Sequence, residues 1–527
     1  MNRDSENLNI TTFHTLTWEN SFKEMHNISV LLGNSYEKYS SRFFDAMIEG
    51  FSGNDLYEIN AGSTNPKTNG SSSEQVLISG FGRINYDFMQ KYLFEANFRY
   101  DGSSKFAKGN RWGLFPSFSG GWRLEQENFM KNISWLSGLK LRASYGSLGN
   151  EQVGNFRYVS LMNLEKPYIF GGIVNSGAAI VNYNDPNISW ETTVISNIGL
   201  DALLFNNKLN FSCEVYNKKT KDILRPVNLS AQVGNLGGPL RNIGILSNKG
   251  YELNLNHQNE INEFSYQIDA GISYNVNKVE ELAGDEILSS SQAGQWFGGG
   301  SFITKEGYPI DSHYLLEAIG IFQTQEEVDN SPFQNMKTKP GYLKYKDQNG
   351  DKVIDQDDRV ITGSTLPKYS YNFSLSLSYK NLSLRGFFNG VQDIDTYPSG
   401  IVAFPFWYAT SVTKEWVNNS WTSKRTDAKL PIMTVYEQSV DDNYRPSDFW
   451  LKDASYLRLK NLQISYSFPK QFIEKIGLKD LLLFINGQNI FTISKMKEFD
   501  PEMNILQGTY AAYPTLKTYT MGLNVTL

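Results

Sequence analysis

Along much of the chain, apolar residues recur at every second position with small polar residues between them. At the C-terminal stretch Thr515 to Leu527, Tyr519, Met521, Leu523, Val525 and Leu527 alternate with Thr518, Thr520, Gly522, Asn524 and Thr526. A period of two with one apolar and one wettable face predicts a strand in water on one side only. The pattern returns at Tyr92, Phe94, Ala96, Phe98 and Tyr100, and at Leu139, Leu141, Ala143 and Tyr145. It continues through Val194, Ile198 and Leu200, through Tyr251, Leu253 and Leu255, and from Phe264 to Tyr274. The clearest run is Tyr369, Tyr371, Phe373, Leu375, Leu377 and Tyr379, with aromatic ends and aliphatic residues towards the middle. That gradient fits a strand crossing a bilayer, with rings at the interfaces and aliphatics in the hydrocarbon. Leu462, Ile464, Tyr466 and Phe468 end a further such strand, and Leu481, Leu483 and Ile485 begin another. About fifteen strands are predicted, most near the roughly 9–11 residues a tilted span needs.

The connections alternate in length. Short links are expected near Asp87 to Lys91, Phe205 to Leu209, Asn259 to Phe264 and Tyr379 to Leu382. Long polar segments are expected over Asn34 to Gln75, Gly146 to Glu191, Lys218 to Lys249, Asn277 to Pro367 and Val391 to Ser455. Short turns at one end and long loops at the other suit an outer-membrane barrel, whose turns are periplasmic and whose loops are extracellular. Counting back from Leu527 starts the first readable strand, around Ile10 to Asn20, on the outside. Bacterial barrels are even-numbered with both ends periplasmic, so earlier strands are expected to be absent. Asn2 to Asn7 has neither the apolar core nor the cleavage site of a secretory signal, which points the same way.

Composition narrows the function classes. The 527 residues hold 14% aromatics, with 30 Tyr, 33 Phe and 10 Trp, yet mean hydropathy is negative. Many rings in a hydrophilic chain suit alternating faces with aromatic girdles, although a secreted β-sandwich would give similar totals. No run approaches the roughly 18 apolar residues of a membrane helix. The net charge of −6 spreads over both signs, and no basic block suggests nucleic acid. The single cysteine, Cys213, excludes an internal disulfide and a thiolate cluster. It shares strand spacing with Leu209, Phe211 and Val215 and reads as a small face residue. His14, His26, His257 and His313 are scattered, and no nucleophile elbow, phosphate loop or dinucleotide fingerprint occurs. His257 follows Leu253 and Leu255 and reads as a rim or interface residue. An enzyme is not expected.

Several runs go beyond a generic barrel. Tyr100-Asp-Gly-Ser-Ser-Lys-Phe, Asn110-Arg-Trp-Gly-Leu-Phe-Pro-Ser and Gly120-Gly-Trp-Arg are followed by Leu139-Lys-Leu-Arg-Ala-Ser-Tyr-Gly and Trp190-Glu-Thr-Thr. Asn197-Ile-Gly-Leu-Asp, Asn248-Lys-Gly-Tyr-Glu and Gly487-Gln-Asn-Ile-Phe join them. The longest is Asn443-Tyr-Arg-Pro-Ser-Asp-Phe-Trp-Leu-Lys-Asp-Ala-Ser-Tyr-Leu-Arg-Leu-Lys-Asn-Leu. Together these resemble the SusC/RagA-type TonB-dependent transporters of Bacteroidota, over nearly the whole chain after about Val76. The resemblance implies an all-β fold: a partial transmembrane antiparallel β-barrel, about fifteen strands of a larger plugged barrel (roughly 22 strands), with long extracellular loops. Residues 1–527 would be the C-terminal part of that barrel, with the plug domain and first strands absent. It also implies active import of large nutrients, oligosaccharides or peptides, at the cell outer membrane. The implied partners are a SusD-like surface lipoprotein acting as lid, the TonB complex acting through the missing N-terminal region, and outer-membrane lipid. A surface-exposed structural or adhesive β-barrel is the alternative, and a secreted β-sandwich hydrolase a third.

Two segments are candidate sites. Asp347-Gln-Asn-Gly-Asp-Lys-Val-Ile-Asp-Gln-Asp-Asp places oxygens at positions 1, 3, 5, 7 and 12 of a twelve-residue calcium loop. Asp347, Asn349, Asp351, the Val353 carbonyl and Asp358 are the candidate Ca2+ ligands, with Asp355 acting through water. Position six, normally glycine because it needs a positive φ, is Lys352; a solvated acidic turn is the plain alternative. Phe404, Phe406, Trp407 and Tyr408 cluster in one long loop, and Trp296 and Phe297 in another. The first cluster is the candidate substrate or lid contact, because exposed rings stack on sugars or mark partner surfaces. Packing onto the barrel rim is the other expectation for it.

Overall fold

The computed structural model describes residues 2–55, 58–180, 182–227, 232, 238–282, 287–290, 301–398, 404–406, 411–434, 442–497, 500–502 and 515–527. Its main element is an antiparallel sheet of fifteen strands, each hydrogen-bonded to the next in chain order. The first six are β1 Asn2–Phe22, β2 His26–Glu49, β3 Thr64–Phe88, β4 Tyr92–Ser103, β5 Trp112–Arg123 and β6 Leu136–Asn150. Then come β7 Glu191–Leu204, β8 Leu209–Lys221, β9 Ile245–Ile261, β10 Phe264–Glu281 and β11 Tyr369–Tyr379. The last are β12 Leu382–Gln392, β13 Tyr456–Ser467, β14 Asp480–Ser494 and β15 Thr518–Thr526. The expected fifteen-stranded wall is the observed one. Among the described residues no helix is long and apolar enough to cross a membrane.

The chain forms two compact units. The first comprises Met1–Ser134, Gly138–Leu200 and Tyr216–Ser247, the second Trp135–Ser137, Asp201–Val215 and Asn248–Leu527. In the first unit, register aligns the apolar alternation across strands: Tyr86 faces Phe94, Ile84 faces Ala96, and Ala96 in turn faces Phe118. These side chains share one face, and Phe94, Phe98, Phe118 and Tyr145 are left exposed on it. A protein core would cover such rings; here lipid does. At the turn end of this face, His26, Phe88, Tyr92 and Trp122 form a continuous row of ring contacts. Tyr92 Oη and Trp122 Nε1 donate to Glu127 at 2.6 and 3.2 Å. Amphipathic rings with wet tips and greasy bodies belong at a bilayer interface.

In the second unit Ile268 faces Leu375, Ala270 faces Phe373, and Phe373 faces Phe388. Ile464 faces Ile485, and Ile485 faces Met521. His257 packs against Tyr266 on this face in a tilted ring contact, with centroids 5.4 Å apart. The opposite faces carry Ser, Thr, Asn, Gln and charged side chains. Tight turns close the short connections through left-handed backbone at Lys23, Glu24, Met89, Gln90 and Lys380. Gln90 N donates to Asp87 Oδ1 at 2.7 Å, so the β3–β4 turn satisfies its own backbone.

One expectation fails. Asn34 to Gln75 is not a long polar loop. β2 and β3 pair from His26↔Phe88 to Glu49↔Thr64, with one irregularity near Met47, leaving residues 50–63 as the connection. β2 is 24 residues long, more than twice a span of roughly 9–11. Beyond the bilayer both faces of a strand meet water, so the apolar–polar alternation that signals a strand disappears. The backbone ladder continues regardless of side-chain polarity.

Candidate functional site

The polar face of the first unit is cross-braced. Arg83 Nε donates to Asn97 Oδ1 at 2.7 Å, and Asn97 Nδ2 to Glu95 Oε1 at 2.7 Å and Ser117 Oγ at 3.3 Å. Arg99 holds Ser79 Oγ and Asp101 Oδ2, both at 2.8 Å. This lattice spans β3, β4 and β5, so each strand's polar residues satisfy those of its neighbours. Beside it a concavity of about 920 Å³ is lined by Glu19, Asp87, Glu95, Lys140, Arg142 and Asn197, among others. Gly199 makes room there, since a Cβ would stand 2.5 Å from the Arg142 guanidinium.

Three of the family-like runs pack together. Phe106 and Phe115 pack with Ile188 and Trp190 in one buried cluster. Trp190 Nε1 donates to Arg111 O at 2.8 Å, so the run Asn110-Arg-Trp is tied to Trp190-Glu-Thr-Thr.

In the second unit the described residues of segments 301–367 and 396–455 form a packed outer layer. Its cores are Leu315, Tyr397, Phe404, Trp416, Tyr444 and Trp450, and Leu316, Leu343, Tyr345 and Ile354. The run from Asn443 staples it. Asn443 Oδ1 accepts Leu343 N at 2.9 Å, Trp450 Nε1 donates to Asn443 O at 2.9 Å, and Asp448 Oδ1 accepts Ala318 N at 2.8 Å. Burial raises the Asp442 carboxyl, opposed by the Thr338 hydroxyl bonded to it. His313 is fully buried; burial pushes it down to about 4, and its Nδ1 has no hydrogen-bond partner among the described residues.

This layer takes Phe404 out of the expected contact cluster. Phe404 is 2% exposed, 4.5 Å from Trp450 and 5.2 Å from Tyr444 by ring centroid. It presents no face to a sugar or a lid because it is core. Phe406 is half-buried with φ +54. Trp407 and Tyr408, like Trp296 and Phe297, lie outside the described residues.

The acidic loop folds as a nest of backbone amides around carboxylates. Asp347 accepts Gly350 N at 2.6 Å and Lys352 N at 2.9 Å, and Asn349 Oδ1 accepts Asp351 N at 2.9 Å. Asp351 Oδ1 accepts Val353 N at 2.8 Å. Asp358, fully buried, accepts Gln348 N at 2.7 Å and Asp355 N at 2.9 Å. Lys352 has φ +69, the left-handed conformation its position in a calcium loop requires. Among the described residues no group of three His, Cys, Asp or Glu side chains is placed to hold a metal ion.

Sequence reasoning passed over an ion network on the polar face of β13. Arg458 bonds Thr492 Oγ1 at 2.7 Å, Asp500 Oδ1 at 2.5 Å and Glu502, which also accepts Lys460 at 2.6 Å and Tyr456 Oη at 2.7 Å. The alternation of Arg458 with Leu457 and Leu459 marks its face; its acidic partners, more than forty residues away, leave no local signal.

The TonB dependent receptor-like β-barrel family model matches residues 2–490. The chain belongs to that family. It is 32% identical to TonB-dependent receptor P3 of Formosa agariphila, over 97% of this chain and 51% of that protein. It is 29% identical to TonB-dependent receptor SusC of Bacteroides thetaiotaomicron, over 86% of this chain and 44% of that protein. The chain thus spans about half the length of the curated relatives it matches. A solved structure of the RagAB peptide transporter superposes with a TM-score of 0.81 at 24% identity, over 99% of this chain and 56% of that one. That likeness is one of fold. In a TonB-dependent receptor barrel the apolar face meets outer-membrane lipid and the braced polar face lines the lumen.

Proposed function

We propose that this chain forms lumen wall and outer loops of a TonB-dependent outer-membrane importer of large nutrients, oligosaccharides or peptides, of the SusC type. The observation that carries the reading is the match to the receptor barrel family over residues 2–490, on a sheet greasy on one face and braced by polar groups on the other. The importer works with a SusD-like surface lipoprotein as lid and draws energy from the TonB complex. A partner surface is supported by the hairpin of Tyr168–Phe170 and Ile173–Asn175. There Tyr168, Ile169, Phe170, Ile173 and Val174 are all exposed, and apolar surface of that kind marks interaction sites. Deleting the receptor gene is expected to abolish TonB-dependent uptake of its nutrient, and affinity-purifying the receptor to bring down a surface lipoprotein. Uptake that persists without TonB rejects the importer.

Calcium in the Asp347–Asp358 loop is part of the proposal, supported by the left-handed Lys352 and the inward-aimed Asp358. The acids are shared among backbone donors, so the loop must tighten on an ion. Titration with Ca2+ that leaves the melting temperature unchanged rejects this site.

A further inference from the structure

In the second unit the turn-end connections β7–β8, β9–β10 and β11–β12 span only residues 205–208, 262–263 and 380–381. The β13–β14 connection at the same end takes residues 468–479. It folds as a helical turn, α1 Lys470–Ile473, continued as 3-10 helix over Glu474–Ile476. Its conformation is fixed. Ile473 is 1% exposed, Gly477 ends the turn in left-handed backbone at φ +77, and Leu478 N donates to Ile473 O at 3.1 Å. With Ile473 pinned inward, Phe472 and Ile476, one helical turn apart, stand 53% and 55% exposed. A row of rings leads out to them from the lipid face of the wall. Tyr466 meets Phe468 at 5.2 Å between centroids, and Phe468 stacks on Phe472 at 6.0 Å. Tyr466 in turn aligns with Leu382, and Leu382 with Tyr379, all exposed on that face. Lys470, Lys475 and Lys479 are exposed along the same segment, against Glu474 and Asp480.

We propose that this connection is a lipid-docking element: Phe472 and Ile476 insert into the periplasmic leaflet, and the lysines beside them take anionic phospholipid headgroups. The occupant follows from continuity. The ring row starts on a face that meets outer-membrane lipid and reaches Phe472 without a break. A short helix with an apolar stripe and lysines around it lies in the interface plane. Its stripe sits at the boundary of headgroups and acyl chains, while the lysine stems extend along it and carry their ammonium groups to the phosphates. The three lysines outnumber the two carboxylates of the segment, so a negative headgroup is favoured over a neutral one. β13 and β14 are flanked by β12 and β15, so the wall on both sides of the connection belongs to this chain. The lumen lies across the wall from this row, and the inference holds whichever nutrient is carried.

The test uses the whole receptor, purified from outer membranes and reconstituted in vesicles of phosphatidylcholine with a minor share of phosphatidylglycerol. In a Cys213→Ser background, Phe472→Cys and the neighbouring control Gln471→Cys are each labelled with a small thiol-reactive fluorophore. Ile476→Cys is labelled in parallel, so that the result does not hang on one variant folding; heat modifiability on electrophoresis checks each barrel. Labels at 472 and 476 are expected to lose most of their emission to lipid brominated on its acyl chains and little to aqueous iodide. The label at 471 should do the reverse. Iodide quenching at 472 and 476 equal to that at 471 overturns the docking. Protection of both positions from both quenchers also overturns it, because a protein neighbour then covers them. For the lysines, brominated phosphatidylglycerol and brominated phosphatidylcholine are compared at equal mole fraction. The anionic lipid is expected to quench as though enriched about fivefold, the size of one lysine's attraction to an acidic leaflet. Lys470→Gln with Lys475→Gln and Lys479→Gln should remove that difference. Equal quenching by the two lipids before substitution, or a preference that survives the triple variant, overturns the headgroup assignment.

Discussion

Phe373 and Phe404 belong to one unit and have opposite surroundings. Phe373 stands on the lipid side of β11, 38% exposed, with Phe388 6.0 Å away and no further layer over it. Phe404 sits in the outer layer at 2% exposure, closed in by Tyr444, Trp450 and Trp416. The wall therefore has no core of its own on that side; the bilayer serves as one. The outer layer meets water and must bury its rings in the ordinary way. A ring in the wall tolerates any apolar replacement, whereas a ring in the layer has a fitted socket.

Substitutions can break this contrast, beginning with the largest effect. Trp450→Ala is expected to cost the outer layer about 3–5 kcal/mol, as for a large buried aromatic. Hydrogen exchange should then show residues 312–316 and 343–345 losing protection while β11 and β12 keep theirs. Leu375→Arg should destabilise the wall by about 2–4 kcal/mol in urea unfolding from lipid vesicles, the penalty for a cation near the bilayer midplane. Ser374→Arg, one residue along on the lumen side, should cost less than about 1 kcal/mol. Equal costs would mean that the two faces do not meet different media.

Acid sharpens the contrast from the other side. His313 titrates near 4 in the folded layer because burial disfavours its charged form. The unfolded chain takes up that proton first, near 6.5. Stability is then complete at neutral pH and declines as pH falls from about 6.5 to about 4, by at most about 3 kcal/mol. His313→Asn should flatten this decline in the outer layer and leave the wall unchanged. A small gain is expected at Lys352→Gly, which relieves a left-handed lysine and should stabilise the acidic loop by about 1 kcal/mol. A larger gain with Ca2+ present than without would also mark the loop as a metal site.

The strands inside the bilayer were legible because lipid imposes alternation: Tyr369 to Tyr379 could be assigned residue by residue. β2 and β3 above the bilayer were not, since Ser71, Ser72 and Ser73 face water on both sides and carry no period. The run from Asn443 stood out as a motif, but its reason is a set of hydrogen bonds to Leu343, Ala318 and Trp450 that sequence order does not show. The aromatics near Phe404 looked like a contact surface because a cluster of rings reads the same whether solvent or protein covers it.

The sequence by itself determined the fold class, the faces of the membrane strands, the short turns and the family. Each depends on local alternation or on contiguous runs, which neighbouring residues specify. Only the tertiary structure decided that Phe404 is core and that Arg458 meets Asp500 and Glu502. Those depend on strand register, and register is the joint product of the whole hydrogen-bonded ladder.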